Sequence, residues 1–309
     1  MLFSKSPKHV LAEFYEAERN YMKAGGSSGG ASFQAMAATL DPNVVLHQSP
    51  DLPFGGEYIG HKRYQEWADA MSAIFDKVDA QDPEFFEKDD TVVIVCTLVT
   101  RVRATCEDMK LPMVQIVKVK SGKITEFRPF YWNVPAYGAA AHAGHRKSSV
   151  SKHNSRFLKG VAAMSLFVKD YKTAVSTLER FYKAEADYLA AGSGDFSAIA
   201  STLDPQCVIF QPASLPYGGA WKGLSGFEEW MKAFAQQWSS MEMRDAQIYP
   251  CEDVIVSKSH VFAHAKVSGK RADWPLLQFF TFRDGKILEL SPFYWDTAAL
   301  LPVMQSKVE

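Results

Sequence analysis

Pro129-Phe-Tyr-Trp-Asn133 returns 163 positions on as Pro292-Phe-Tyr-Trp-Asp296. The same offset carries Leu40-Asp-Pro42 onto Leu203-Asp-Pro205, Leu52-Pro-Phe-Gly-Gly56 onto Leu215-Pro-Tyr-Gly-Gly219, and Glu66-Trp67 onto Glu229-Trp230. It also carries Pro112 onto Pro275, Gln115 onto Gln278, and Gly122-Lys-Ile124 onto Gly285-Lys-Ile287, so the match runs from Leu40 to Asn133 without a gap. Upstream, Phe14-Tyr15 and Tyr21 meet Phe181-Tyr182 and Tyr188 at an offset of 167; the Gly25–Gly30 stretch absorbs the difference. Solenoid repeats are about 20–50 residues long. A period this much longer predicts one domain written twice: copy one over 1–137 and copy two over 172–309. The stretch 138–171 between them reads as a linker. Its first part, Gly138–Lys152, is rich in Ala, Ser, Gly, His and basic residues, and its second, Phe157–Tyr171, is apolar enough for a packed helix.

Composition narrows the class of protein. Hydrophobic residues make up 47% of the 309, which rules out disorder as the main state. With Lys+Arg 34 against Asp+Glu 35, no basic excess exists to hold nucleic acid or an anionic membrane. Cys96, Cys106, Cys207 and Cys251 are too sparse for a disulfide scaffold and lack the CxxC spacing of a zinc or redox site. Charges interrupt Met1–Tyr15 where a secretion signal needs its apolar run, and the longest bland apolar stretch, Gly160–Val168, falls far short of the roughly 20 residues of a membrane span. A reduced, soluble, cytoplasmic protein is expected, with no membrane partner.

Each copy opens with a helical pattern. Val10, Leu11, Phe14, Ala17, Glu18 and Tyr21 fall on one face, as do Leu178, Phe181, Tyr182, Glu185 and Tyr188. A second short helix, Phe33–Leu40 or Phe196–Leu203, should stop at Asp-Pro, because the residue before proline avoids the helical region. The β-branched runs Val44–Gln48 and Cys207–Gln211 read as strands, and a third helix is expected around Trp67 and Trp230. Further strands are expected at Thr91–Val95, Thr97–Thr105, Met113–Lys120 and Lys123–Trp132, with a hairpin at Ser121-Gly122 and their equivalents in copy two. Helices followed by an antiparallel meander make an α+β domain.

In that order of elements, with the Leu-Pro-aromatic-Gly-Gly loop and the Pro-Phe-Tyr-Trp-Asn/Asp ending, the sequence resembles the SnoaL-like branch of the nuclear transport factor 2-like superfamily, over both copies. The resemblance implies two cone-shaped α+β barrel domains, each a curved antiparallel sheet wrapped round helices and holding a pocket. Many single-domain relatives dimerise through the outer sheet face. Phe130, Trp132, Phe293 and Trp295 alternate away from the pocket side, so an internal pseudo-dimer of the two copies is expected, with further homo-oligomerisation open.

Strand alternation selects the pocket candidates. Lys118 and Lys120 must reach water, which turns Gln115 inward, and Gln278 with it; a buried glutamine needs either core backbone partners or a ligand. Asp296 shares a face with Tyr294, Leu290 and Leu288. SnoaL-like enzymes use an acidic residue near this position as general acid/base, so the resemblance implies that role, and an apolar cone would raise its pKa. Asp296 equally suits the N-cap of a tail helix, Thr297–Met304. Copy one has Asn133 there, which caps but cannot exchange a proton, leaving His47 as its candidate. Thr97, Arg101 and Arg103 correspond to His260, His264 and Lys266. If their shared face is inward, His264 joins Asp296 and Tyr294; if outward, they are a solvated face. Either way, His260 and His264 lie roughly 13 Å apart along a strand, too far to chelate one metal.

Tyr131, Gln48, Gln211, Trp67 and Trp230 complete the expected pocket walls, and Tyr58 and Trp221 are placed to gate them. His142 and His145 sit in the linker, where unpaired histidines are ordinarily solvated, so no metal is expected. Neither a Gly-x-Ser-x-Gly elbow nor a Gly-x-Gly-x-x-Gly turn occurs, and Gly25–Gly30 lacks the Gly-Lys-Ser/Thr ending of a phosphate loop; no cofactor is implied. These features point to a cofactor-independent acid/base enzyme acting on a hydrophobic small molecule: an isomerase, cyclase, dehydratase or related lyase. The alternative is a non-catalytic binding or protein-interaction module of the same fold, because fold alone does not decide function.

Overall fold

A computed structural model describes residues 6–142, 171–192, 194–251 and 254–305. The chain divides into two compact units, Met1–Val161 and Ala162–Glu309. Unit one runs α1 (Pro7–Ala24), α2 (Gln34–Ala37), β1 (Leu40–Gln48), β2 (Gly56–Ile59), α3 (Gly60–Ile74), β3 (Phe75–Lys88), β4 (Thr91–Val102), β5 (Asp108–Lys120), β6 (Lys123–Tyr131) and α4 (Val134–His142). Unit two repeats it as α5 (Tyr171–Ala190), α6 (Ser197–Ala200), β7 (Leu203–Gln211), β8 (Gly219–Lys222), α7 (Gly223–Gln237), β9 (Trp238–Cys251), β10 (Val254–Ala265), β11 (Arg271–Arg283), β12 (Lys286–Tyr294) and α8 (Thr297–Gln305). The expected linker therefore begins inside α4. His145 and the expected helix at Phe157–Tyr171 lie outside the described residues, apart from Tyr171 at the start of α5.

Local chemistry sets the ends of α1. The Ser6 hydroxyl accepts from His9 N–H, Pro7 opens the first turn, and Gly25 closes it at φ 88, a left-handed geometry that glycine adopts without strain. Val10, Leu11, Phe14, Tyr15, Tyr21 and Met22 make its buried face. The β5–β6 hairpin turns on Ser121 and Gly122, both at positive φ, the pattern that matches strand twist.

Each sheet has six strands, ordered β2-β1-β6-β5-β4-β3 and β8-β7-β12-β11-β10-β9. The sheets are mixed, which corrects the expectation of a wholly antiparallel one: β1 pairs with β6, and β7 with β12, in parallel. The chain leaves the β1–β2 hairpin through α3, starts again at the far edge, and meanders back to meet β1 running the same way. The sheets are also open, with β2 and β3 as edges, so neither is a closed barrel. Curvature follows from what α1 touches. It packs on β3 and β6, which lie three strand spacings, about 14 Å, apart in a flat sheet, whereas a helix is about 10–12 Å across. The sheet must wrap it. A bulge in β3 between Gln81 and Glu84, with Asp82 at φ 51, supplies part of that bend.

Strand limits differ from expectation in four places, one of them the start of β5 at Asp108 instead of Met113. The short helix ends at Ala37, and β1 already starts at Leu40, carrying Asp41-Pro42 within the strand instead of a helix stop. Thr91–Val102 is one strand where two were expected. The strands β3 and β9 had no expected counterpart: β3 reads Phe-Asp-Lys-Val-Asp-Ala-Gln-Asp-Pro-Glu-Phe-Phe-Glu-Lys. It is an edge strand, and charges and a proline there hide the apolar alternation that marks an inner strand. Among the described helices none is long and apolar enough to cross a membrane.

Candidate functional site

Inside each wrapped sheet lies a cavity. The first spans about 380 Å³ with the space open to solvent at its mouth included, and its walls include Tyr15, Glu18, Gln48, Trp67, Gln115 and Tyr131. The second spans about 340 Å³ on the same measure, with Glu185, Gln211, Trp230, Gln278 and Tyr294 in corresponding places. The rest of the lining is apolar or aromatic; among the described residues no lysine, arginine or histidine lines either cavity.

The long helix supplies the carboxylates. Phe14-Tyr15-Glu16-Ala17-Glu18 and Phe181-Tyr182-Lys183-Ala184-Glu185 place a glutamate one turn after the phenylalanine, on the stripe that faces the sheet. Phe14 packs against Phe127, and Phe181 against Phe280, which turns the stripe inward. Glu185 is 3% exposed, and its Oε2 has no hydrogen-bond partner among the described residues. Burial, which disfavours the charged form, pushes its carboxyl up to about 8. Glu18 is half-buried, and burial raises it to about 8 as well, against a smaller opposing pull from Arg19. Both glutamates lie on the apolar helix faces expected from the sequence, where no site role was expected of them. The signal was a charged residue inside an apolar stripe at the same place in both copies.

The neutral polar groups are paired across elements. Tyr131 Oη donates to Gln48 Oε1 at 3.0 Å, and Tyr294 Oη to Gln211 Oε1 at 3.0 Å. Tyr15 Oη donates to Gln115 Oε1, and Tyr182 Oη to Gln278 Oε1 at 2.9 Å. In each unit one pair thus ties the long helix to the second-last strand and the other ties the last strand to the first. Trp67 and Trp230, from α3 and α7, are 3% and 2% exposed, and their indole N–H groups have no acceptor among the described residues.

Other expected site residues stand elsewhere. Asp296 Oδ1 accepts from Ala298 N–H at 2.9 Å and Ala299 N–H at 3.1 Å, so it caps α8, and it is not among the residues lining the second cavity. Asn133 Oδ1 does the same for α4 through Ala136 N–H at 3.0 Å. His47 points to the opposite sheet face from its neighbour Gln48. There it meets Glu57 at 3.1 Å and Glu126 at 3.6 Å; burial and then Arg128 depress its pKa. His264 is exposed, and His260 pairs with Asp273 at 2.7 Å. Arg101 is exposed and pairs with Asp76, and Leu98, the neighbour of Thr97, lines the first cavity, so this strand face is the outer one; Arg103 and Lys266, just past the strand ends, donate to the carbonyls of Met22 and Ala235. Tyr58 Oη donates to the carbonyls of Phe54 and Gly55, and Trp221 Nε1 to that of Tyr217, which ties down the Leu-Pro-aromatic-Gly-Gly loops. Among the described residues no group of three His, Cys, Asp or Glu gathers to hold a metal ion.

A family model described as a SnoaL-like domain matches residues 27–127 and 178–290. No curated protein matches the sequence. Solved structures are similar to one half at a time. An NTF2-like protein of unknown function from Burkholderia pseudomallei is 17% identical over 44% of this chain and 99% of its own, with a TM-score of 0.39. A candidate SnoaL-like polyketide cyclase from Jannaschia sp. CCS1 is 16% identical over 43% of this chain and 92% of its own, TM-score 0.36. A candidate isomerase from Bacillus subtilis is 16% identical over 45% and 98%, TM-score 0.36.

Proposed function

Because the chain belongs to the SnoaL-like domain family in both its halves, we propose that each cavity is a cofactor-independent acid/base site for a hydrophobic small molecule, with Glu18 and Glu185 moving the proton. The observation that carries this reading is a carboxyl with a pKa of about 8 in the wall of each apolar cavity. Such a group is mostly protonated at pH 7 yet ionises readily. It can give a proton to a carbonyl or leaving oxygen, or, as carboxylate, take one from a carbon beside a carbonyl. Returned to a different carbon, that proton completes an isomerisation. The Trp67 and Trp230 indoles are the groups positioned to hold the oxygen on which charge develops. Asp296 acts through its helix cap.

A set of neutral bicyclic and tricyclic ketones in deuterium oxide tests the proposal. Deuterium uptake beside the carbonyl, read by mass spectrometry, should exceed the buffer rate and fall about 10²-fold or more when Glu18→Gln and Glu185→Gln are combined. Uptake undiminished in the double variant would remove both glutamates from the chemistry. A second reading, a non-catalytic binding module, has support in the Tyr-Gln pairs, which are already satisfied within the protein; ketones that bind without any uptake would establish it.

A further inference from the structure

Both cavities hold an aromatic ring at one point, but it comes from different elements. In unit one the ring is Tyr137 of α4, which lies 5.7 Å from Phe75 and is parallel to it within 10°. It also lies 4.8 Å from Tyr131. The counterparts of Phe75 and Tyr131 in unit two are Trp238 and Tyr294, and between them sits Trp274 of β11, at 5.3 Å and 6.2 Å. The counterpart of Tyr137 is Leu300, and that of Trp274 is Leu111, both buried. Ring and leucine have changed places between tail helix and sheet, so the apolar filling is kept while the polar atom changes. Tyr137 is 0% exposed and Trp274 3% exposed; both line their cavities, and neither Tyr137 Oη nor Trp274 Nε1 has a hydrogen-bond partner among the described residues.

A phenol both donates and accepts, whereas an indole N–H only donates. Unit two therefore presents two unpartnered indole donors, Trp230 and Trp274, to its cavity; unit one presents one indole, Trp67, and one phenol. An alcohol can accept from either indole, but its own O–H then finds no acceptor on the ring at this point in unit two, and a donor left unpaired weakens binding. With no basic side chain among the described lining residues of either cavity, a neutral ligand is favoured over an anion. We propose that the cavities are two non-equivalent binding sites. Unit two selects a neutral ring compound whose oxygen at this point only accepts, such as a ketone, quinone or lactone carbonyl. Unit one also takes the corresponding alcohol. Met241 and Met243 in place of Val78 and Ala80 narrow the second site further. This rests on the reading of the cavities as ligand sites, and does not depend on proton transfer.

The test uses the full chain labelled at its tryptophan indole nitrogens, with 1-tetralone and 1-tetralol as probes. Loss of one of the seven indole N–H signals in Trp274→Phe assigns that residue, and persistence of the other six shows that the variant folds. The Trp274 signal should move with tetralone and hardly at all with tetralol, while the Trp67 signal, assigned by Trp67→Phe, should move with both. Trp274→Phe should weaken the tetralone step in unit two about 5- to 10-fold and spare tetralol; Tyr137→Phe should weaken tetralol by a similar factor and spare that step. Equal response of Trp274 to the two probes, both variants acting on the same step, or no binding of either probe at millimolar concentration would overturn the proposal. Deuterium uptake without this discrimination would leave the acid/base reading standing alone. Discrimination without uptake would do the reverse.

Discussion

Replacing Glu185 by Gln removes a charge that the fold makes costly to create, and the effect has a definite sign and pH window. Burial holds its carboxyl at about 8, against an ordinary value of 4.5 that applies in the unfolded chain. Below pH 4.5 both states carry the proton, and the group is neutral in its effect. Between 4.5 and 8 the unfolded chain has released its proton while the folded one keeps it, so stability falls as pH rises. Above 8 the loss is complete. At 1.36 kcal/mol per pH unit, a window of this width corresponds to about 5 kcal/mol. That is a ceiling, since water drawn in around the carboxylate relaxes part of it, but it is large against a total stability of roughly 5–15 kcal/mol. Glutamine keeps the shape and a polar end without the charge. Urea unfolding followed by fluorescence, at unit steps from pH 5 to pH 9, should therefore show wild type and Glu185→Gln close together at pH 5. They should separate progressively, with the variant several kcal/mol more stable in the transition of unit two at pH 9. Parallel stability curves over that range would show that Glu185 ionises like a solvated carboxylate, and the proton-transfer reading would lose its physical basis.

The remaining predictions concern the framework around the cavities. Gln48→Leu leaves the buried Tyr131 hydroxyl without its acceptor and should cost about 1–3 kcal/mol, while adding Tyr131→Phe should recover most of the loss in a double-mutant cycle. Asp296→Ala should cost about 0.5–2 kcal/mol through the α8 cap, and Asp296→Asn, which keeps an accepting oxygen, much less, in thermal unfolding. If Asp296→Asn stays folded but loses deuterium uptake, proton transfer belongs to Asp296 after all. His264→Ala, on the exposed sheet face, should leave uptake and stability within experimental error.

Much of this arrangement is legible in the sequence because the chain is written twice. The offset repeat predicts two like domains, and the inward positions of Gln115, Gln278, Tyr131 and Tyr294 follow from strand alternation, a local rule that needs no tertiary information. The edge strands β3 and β9 were not legible. A solvated edge relaxes the demand for alternating apolar residues, so the sequence there resembles a charged loop. The parallel pairing of β1 with β6 depends on where the chain re-enters the sheet after α3, which no local pattern encodes.

By itself the sequence determined the duplicated α+β domain, the residues that alternate into each sheet's inner face, and the lack of an overall basic excess. Only the tertiary structure decided which carboxylates line the cavities. Asp296, at a strand end, was the candidate the sequence offered; Glu185, on an apolar helix stripe, was not. Helix α8 begins at Asp296 and turns its oxygen to backbone N–H groups, while the sheet curls over Glu185 and removes it from water. What raises a pKa is the low-dielectric surroundings assembled from distant segments, and those exist only once the sheet has closed round the helix.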